Sequence, residues 1–257
     1  MVDTHCHLLK EYFAEDVANV VARAQENGVG IIISCGVDID SSRESVKTAG
    51  EFSGVWATVG VHPEAASKEN VGTKDKLREL ARLPKVVAIG ECGLDYHWAM
   101  DREEKEKQRE LFSWQLLVAS ELGLPITIHN READDDILSM IAPYTNKLTG
   151  VMHCFSGDWD FAQKIIQLGF YISFAGNVTY KKNVGIQEVA KTAPIERILT
   201  ETDAPYLPPE PNRGRWPNTP ANVRITSEFI ANLRRMTNEE LALQTRQNAA
   251  LLFNLTT

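Results

Sequence analysis

Cysteine is scarce in this chain, and what there is cannot staple it. The four cysteines among 257 residues, Cys6, Cys35, Cys92 and Cys154, are widely scattered. None has the paired spacing of a zinc ribbon or redox motif, which leaves reduced, packed thiols as the reading. Long apolar runs are missing too. The stretch 29–35 falls far short of the roughly 20 residues that a bilayer crossing requires, so no membrane span is expected. Positive charge is in deficit: 27 Lys and Arg against 35 Asp and Glu give a formal net charge of −8 and a pI near 5.3. Such a body repels nucleic acid as a whole, so a polyanionic substrate must be held by local cations or bound metal ions. The start of the chain has no basic stretch followed by an apolar one, and a cytoplasmic location is therefore expected. Gly/Ser linkers, low-complexity tracts and short repeats are absent as well, which points to one domain over residues 1–257.

What the chain does contain is alternation. With 43% apolar and 24% charged residues it has the composition of an ordinary globular protein. Short β-rich runs alternate with longer amphipathic stretches, the order of a parallel sheet with helical crossovers. Strands are expected over 1–5, 30–35, 55–61, 86–91, 126–129, 150–153, 171–174 and 197–201. Helices are expected over 15–27, 41–52, 73–83, 104–122, 133–141, 185–192 and 219–233, and from a cap at Asp158 to Gly169. In the stretch 104–122, Leu111, Trp114, Leu117, Val118 and Leu122 form the expected apolar stripe, while Glu103, Lys107 and Glu110 face outward. The segment 204–220, with prolines at 205, 208, 209, 211, 217 and 220, reads as a surface loop after the last strand. Together these features predict a single α/β domain, a (β/α)8 TIM barrel with an additional C-terminal helix over 238–254.

The polar residues sit where such a barrel does its chemistry. His5 and His7 lie two apart on a short apolar strand, so the pleat sends both imidazoles to one face and Cys6 to the other. Asp3 is expected on the histidine face, one step deeper. His62, Glu91, His129, His153 and Asp203 also fall at or just beyond the carboxyl ends of strands, the active-site face of a barrel. Five of the six histidines are thus gathered at one end, a distribution that satisfied core histidines do not explain. Four imidazoles (His5, His7, His129, His153) and two carboxylates exceed what one tetrahedral ion takes. Two divalent ions bridged by a carboxylate use them all, and a water between such ions ionises near neutral pH. Glu91, following Gly90, is the expected bridge. His5, His7, Glu91 and Asp203 then surround one ion, and Glu91, His129 and His153 the other, with Asp203 placed to take the proton of the attacking water. Imidazole ligands favour zinc or manganese; magnesium is the poorer match by ligand softness but stays open.

Three motifs in order carry a family resemblance. They are Val2-Asp3-Thr4-His5-Cys6-His7-Leu8, Ile89-Gly90-Glu91-Cys92-Gly93-Leu94-Asp95-Tyr96 and Glu201-Thr202-Asp203-Ala204-Pro205. With Val61-His62-Pro63, Ile128-His129 and His153-Cys154-Phe155-Ser156-Gly157 between them, the chain resembles the TatD-type metal-dependent deoxyribonucleases of the amidohydrolase superfamily over essentially its whole length. The resemblance implies a single barrel with a divalent-metal centre that hydrolyses phosphodiester bonds, usually in DNA. It implies His5, His7, Glu91, His129, His153 and Asp203 as ligands, and His62 as a substrate-side histidine that contacts phosphate or assists the leaving group. One departure is that Leu9 and Lys10 follow the His-x-His-Leu run, where the family commonly has an acidic or amide residue; this alters the rim and not the ligands. Other superfamily members bridge their metals with a carbamylated lysine. Here Glu91 takes that place, and Lys85 lies at the opposite end of the strand.

The expected substrate is DNA, as single strands or strand ends, cut in exonuclease fashion. Aromatic and basic residues beside the mouth fit such a strand: Tyr96, His97 and Trp98, Lys181 and Lys182, and Arg213, Arg215 and Trp216 in the last loop. The same centre would also serve hydrolysis of another ester or amide, such as an aminoacyl ester on RNA. A metal-binding scaffold without turnover is the reading from a different class, and the full ligand set argues against it.

Overall fold

The computed structural model describes residues 1–68, 72–99 and 101–255. Eight strands pair in sequence order, each parallel to the next: β1 (Val2–Cys6), β2 (Ile31–Cys35), β3 (Val55–Val59), β4 (Val86–Asp95), β5 (Ile126–Arg131), β6 (Gly150–Met152), β7 (Tyr171–Phe174) and β8 (Ile198–Thr200). The first and last strands also meet. Thr4 Oγ1 donates to the Thr200 carbonyl at 3.1 Å, and Cys6 forms a parallel bridge with Ala204. The sheet thereby closes on itself as a TIM barrel. Helices α1 (Val17–Glu26), α2 (Ile39–Glu51), α3 (Thr73–Leu80), α4 (Arg102–Leu122), α5 (Asp134–Ile141), α6 (Trp159–Gln167), α7 (Val184–Thr192), α8 (Val223–Arg234) and α9 (Asn238–Phe253) alternate with the strands or follow the last of them. Among the described residues no helix is long and apolar enough to cross a membrane.

Side-chain caps set the starts of five of the nine helices among the described residues. Asp16, Asp38, Asp101 and Asp158 each accept a backbone N–H in the first turn of α1, α2, α4 and α6, and Thr237 does so for α9 with Glu240 completing a capping box. Gly123, at φ 65°, ends α4 in the left-handed conformation that favours glycine. At the amino-terminal end of the barrel Val2, Ile31, Val87, Val151 and Leu199 gather against Ala249, Leu252 and Phe253 of α9. The additional C-terminal helix is therefore the floor of the barrel.

Four expectations need correcting. The buried face of α4 runs through Gln108, Leu111, Phe112, Gln115, Leu116, Val118 and Ala119, the spacing of a stripe turned from the one expected, and Leu117 is 42% exposed. β4 and β5 run past Glu91 and His129, because Leu94 pairs with Asn130 and Asp95 with Arg131 beyond the ends expected from sequence. Asp3 does not join the two histidines. The four residues of β1 from Asp3 to Cys6 match three of β2, from Ile32 to Ser34, and this bulge breaks simple alternation. Asp3 instead accepts from Thr202 N at 2.9 Å and Thr202 Oγ1 at 2.6 Å, tying β1 to the segment after β8. Finally, the proline-rich segment is not all surface: Ala204 and Asn218 are fully buried.

Candidate metal centre

Strand geometry brings the candidate ligands together at the carboxyl end of the barrel. Backbone pairing fixes Asp203 beside the opening motif, with Asp203 N donating to the His5 carbonyl at 2.9 Å and His7 N to the Ala204 carbonyl at 2.6 Å. Asp203 takes this place at φ 54°, a left-handed conformation that aspartate enters more readily than most non-glycine residues. A second bulge lies in β4 between Ile89 and Cys92 and re-aims Glu91. Gly90 and Gly93 flank Glu91 at φ 144°, and a Cβ there would stand 2.6 Å from the Thr127 carbonyl oxygen and 2.0 Å from that of His129. Only glycine lets β5 approach this closely.

Glu91 is the hub. Its Oε2 lies 3.2 Å from His5 Nε2 and 3.6 Å from His7 Nε2. Its Oε1 lies 2.8 Å from His153 Nε2, 3.0 Å from His129 Nδ1 and 3.5 Å from His62 Nε2. Asp203 Oδ1 faces His7 Nε2 at 3.6 Å and His5 Nε2 at 3.9 Å. Three sets of ligand atoms are compact enough for an ion: His5, His7 and Asp203; His5, Glu91 and His153; and His62, Glu91 and His129. His153 thus sits nearer to His5, on which its ring stacks with centroids 3.9 Å apart, than the expected grouping with His129 requires.

The outer nitrogens show which way the lone pairs point. His7 Nδ1 donates to the Cys35 carbonyl at 2.9 Å, and His129 Nε2 faces Asp95 Oδ2 at 3.0 Å. His153 Nδ1 stands 3.4 Å from Glu201 Oε1. The contacts of His7 and His129 place a proton on the outer nitrogen of each ring and turn the inner nitrogen towards Glu91, the orientation that metal-binding histidines adopt, whereas His153 Nδ1 makes no hydrogen bond. His5 completes the case: both its ring nitrogens are buried without a hydrogen-bond partner, although Nε2 is close to Glu91. An orphaned buried imidazole nitrogen amid carboxylates is what an ion would satisfy, so these residues fit a divalent metal. His62 is turned the other way. The backbone N–H of Glu64 donates to its Nδ1 at 3.3 Å, which assigns the proton to the inward Nε2.

Charge follows the same division. Burial would raise the Glu91 carboxyl, but the His153, His5 and His62 imidazoles outweigh it and hold it well below the usual range. Burial alone would lower His153, His7 and His129; Glu91 and Glu201 hold the first well above the ordinary value, while Asp203 with Glu91, and Asp95 with Glu91, raise the other two. Burial pushes His62 down to about 3, so its ring is neutral at physiological pH.

Above the cluster opens a cavity of about 700 Å³, lined in part by His7, His62, Glu91, His129, His153 and Asp203. Arg131 is the one Lys or Arg among the described residues that line it. The substrate contacts expected from sequence lie farther out. Arg213 sits over the Tyr180 ring at 4.2 Å, Arg215 is exposed, and Trp216 packs on Tyr206 with centroids 5.6 Å apart; none of the three lines the cavity. Of the other rim residues, Tyr96 bonds to Asp136, His97 pairs with Glu132, Trp98 carries Arg131 on its ring, and Lys181 and Lys182 are exposed.

Several supporting residues escaped the sequence reading. Gln108 binds both backbone polar groups of Asp95, and Gln115 both of Val61, next to His62. Two amides seven residues apart in an otherwise apolar helix face were the available signal. Asp95 and Glu201 lie inside quoted motifs, yet the hydrogen bond of Asp95 to His129 and that of Glu201 to the Cys154 backbone N–H, beside His153, need the structure to be seen. Asp203 is followed three residues later by Tyr206, which lines the cavity.

Comparison with known proteins agrees with this geometry. The family model described as TatD related DNase matches residues 2–254. An uncharacterised metal-dependent hydrolase of Bacillus subtilis, YabD, is 39% identical over 256 residues, covering 99% of both chains. The 3'-5' ssDNA/RNA exonuclease TatD of Escherichia coli K12 is 35% identical over 260 residues, again covering 99% of each. The crystal structure of YJJV, a TatD homolog from Escherichia coli K12, shares the fold with a TM-score of 0.90 and 29% identity, covering 100% of this chain and 98% of that one. The ordered motifs, the barrel and the histidine–carboxylate cluster at its mouth all lie within the matched residues, and the chain belongs to the TatD related DNase family.

Proposed function

We propose that residues 1–257 act as one catalytic domain, a cytoplasmic nuclease that uses two divalent ions to hydrolyse phosphodiester bonds of DNA, at single strands or strand ends. The observation that carries this reading is the division at Glu91: one carboxylate oxygen faces His5 and His7, the other His129 and His153. His5, His7, Glu91 and Asp203 would hold one ion, and Glu91, His129 and His153 the other. Zinc or manganese suits these imidazoles, and magnesium is tested beside them. Bound there, such ions supply the positive charge that acidifies an attacking water and neutralises phosphoryl oxygens.

The chain's own residues do the rest. Asp203, on the cavity wall, receives the proton of the attacking water at a carboxylate oxygen. His62 offers a neutral Nε2–H to a phosphoryl oxygen or to the departing oxygen, consistent with its inward proton and low pKa. Arg131 pairs with a phosphate of the strand inside a body that otherwise repels it. The test is release of nucleotides from an end-labelled single strand by protein stripped of metal and reloaded with Zn²⁺, Mn²⁺ or Mg²⁺. Release should depend on the added ion and stop on chelation. Metal-loaded protein that hydrolyses an aryl ester yet leaves the strand intact would overturn the nuclease reading and favour another ester as substrate.

A further inference from the structure

The cavity has one wall that the metal chemistry does not use. Tyr206 is 42% exposed and lines the cavity, with its ring centroid 6.0 Å from that of His7. Tyr12 stands 6.1 Å away on one side and Trp216, 61% exposed, 5.6 Å away on another. Their planes lie at 64° and 58° to the Tyr206 ring, and that of His7 at 76°, so among the described residues none of these rings lies parallel to it. The loop beneath is firmly tied. Tyr206 N donates to the Asp203 carbonyl at 2.8 Å, and the Tyr206 carbonyl accepts from Asn218 Nδ2 at 2.7 Å. Asn218 is fully buried and also binds the Thr202 carbonyl at 3.0 Å. The ring is therefore positioned relative to Asp203 by short hydrogen bonds to its own backbone, one of them from a buried side chain, rather than by a loose loop.

We propose that Tyr206 is the stacking platform for the nucleobase of the nucleotide next to the scissile phosphate of a single strand. The proposal rests on the nuclease reading above and adds how that site selects its substrate. With a formal charge of −8 the body as a whole gains little from the phosphate backbone, so contacts that do not depend on charge have to add to what Arg131 and bound ions supply locally. Base-on-aromatic stacking is such a contact and tolerates any sequence, because every base has a π face. It also selects for single strands, since a base within a duplex must first leave its own stack and its partner.

The test compares Tyr206→Leu with Tyr206→Phe. Strands ending in a normal nucleotide and strands ending in an abasic one are cleaved under steady-state conditions. In the unsubstituted protein the abasic end should have a KM about tenfold to a hundredfold higher. Tyr206→Leu should bring that ratio towards one, and Tyr206→Phe should keep it. A ratio unmoved by Tyr206→Leu overturns the proposal. A second readout needs no turnover: quenching of a terminal 2-aminopurine in a single strand mixed with chelator-treated protein. Quenching should vanish in Tyr206→Leu, persist in Tyr206→Phe and persist in Trp98→Leu. If it vanishes in Trp98→Leu instead, the platform lies on the other side of the mouth and the proposal fails. If the metal-loaded protein cleaves no strand at all, the nuclease reading fails while quenching still decides whether Tyr206 stacks a base.

Discussion

The two ends of this barrel are built from the same eight strands and obey different rules. At the floor, Val2, Ile31, Val87, Val151 and Leu199 meet Phe253 and Leu252, and burial of apolar surface is the whole explanation. At the mouth, His5, Glu91, Asp95 and Glu201 are as buried as the floor residues, yet each carries a polar or charged group that burial penalises. The backbone there is bulged in β1 and β4, and Cys154 and Asp203 hold left-handed conformations at φ 44° and 54°. The difference teaches where stability and chemistry reside. The floor supplies the free energy that lets the mouth keep an arrangement no stability argument would select.

The strongest test of this division is Glu91→Gln. It should lower metal-dependent turnover by about a thousandfold, because the hub of the cluster loses its charge, while circular dichroism reports a folded barrel. Retained turnover would remove Glu91 as the bridge. The counterpart at the floor is Phe253→Ala. Loss of a buried aromatic should cost about 3–5 kcal/mol of stability in denaturant melts, with kcat unchanged at a temperature where the variant stays folded. A large fall in kcat under those conditions would show that the ends are coupled.

A smaller effect sharpens the mouth itself. Asp95→Asn should weaken metal affinity by about tenfold to a hundredfold, measured by competition with a chelator, because His129 loses the carboxylate that orients it. Unchanged affinity would mean that the contact between His129 and Asp95 does not prepare the ring for an ion. The smallest expected change returns to the floor helix. Thr237→Ala removes the cap of α9 and should cost about 1 kcal/mol without altering kcat or KM; an altered KM would show that α9 reaches the cavity.

Much of this molecule was legible from residue order, for identifiable reasons. Strand and helix positions followed from apolar periodicity and, for the helix after β6, from the cap at Asp158, because those signals act within a few residues; the cap at Asp38 was not read, and α2 starts at Ile39, two residues before the expected start. The candidate ligands were legible because a barrel places the carboxyl ends of its strands at one face, so histidines at strand ends converge whatever their separation along the chain. The parts missed depend on what faces a residue from elsewhere. Gln108 and Gln115 look like interruptions of an apolar stripe until the backbone groups of Asp95 and Val61 are set against them. Asp3 shares parity with His5 on an ideal strand, and only the pairing of β1 with β2 reveals the extra residue that sends it to Thr202. The Arg213–Trp216 segment has the right composition for a strand contact, but the loop carries it outside the cavity and leaves Tyr206 at the wall.

The sequence by itself determined the alternation that makes a barrel, the family, and the residue types that gather at one end. These are set by local periodicity and by the invariant direction of a parallel sheet. Tertiary structure alone decided the division of five imidazoles between the two oxygens of Glu91, the proton on the inward nitrogen of His62 and the position of Tyr206. Those depend on distances of 2.8 to 3.6 Å between groups from different strands, and at that scale a single bulge or hydrogen bond decides which atom faces which.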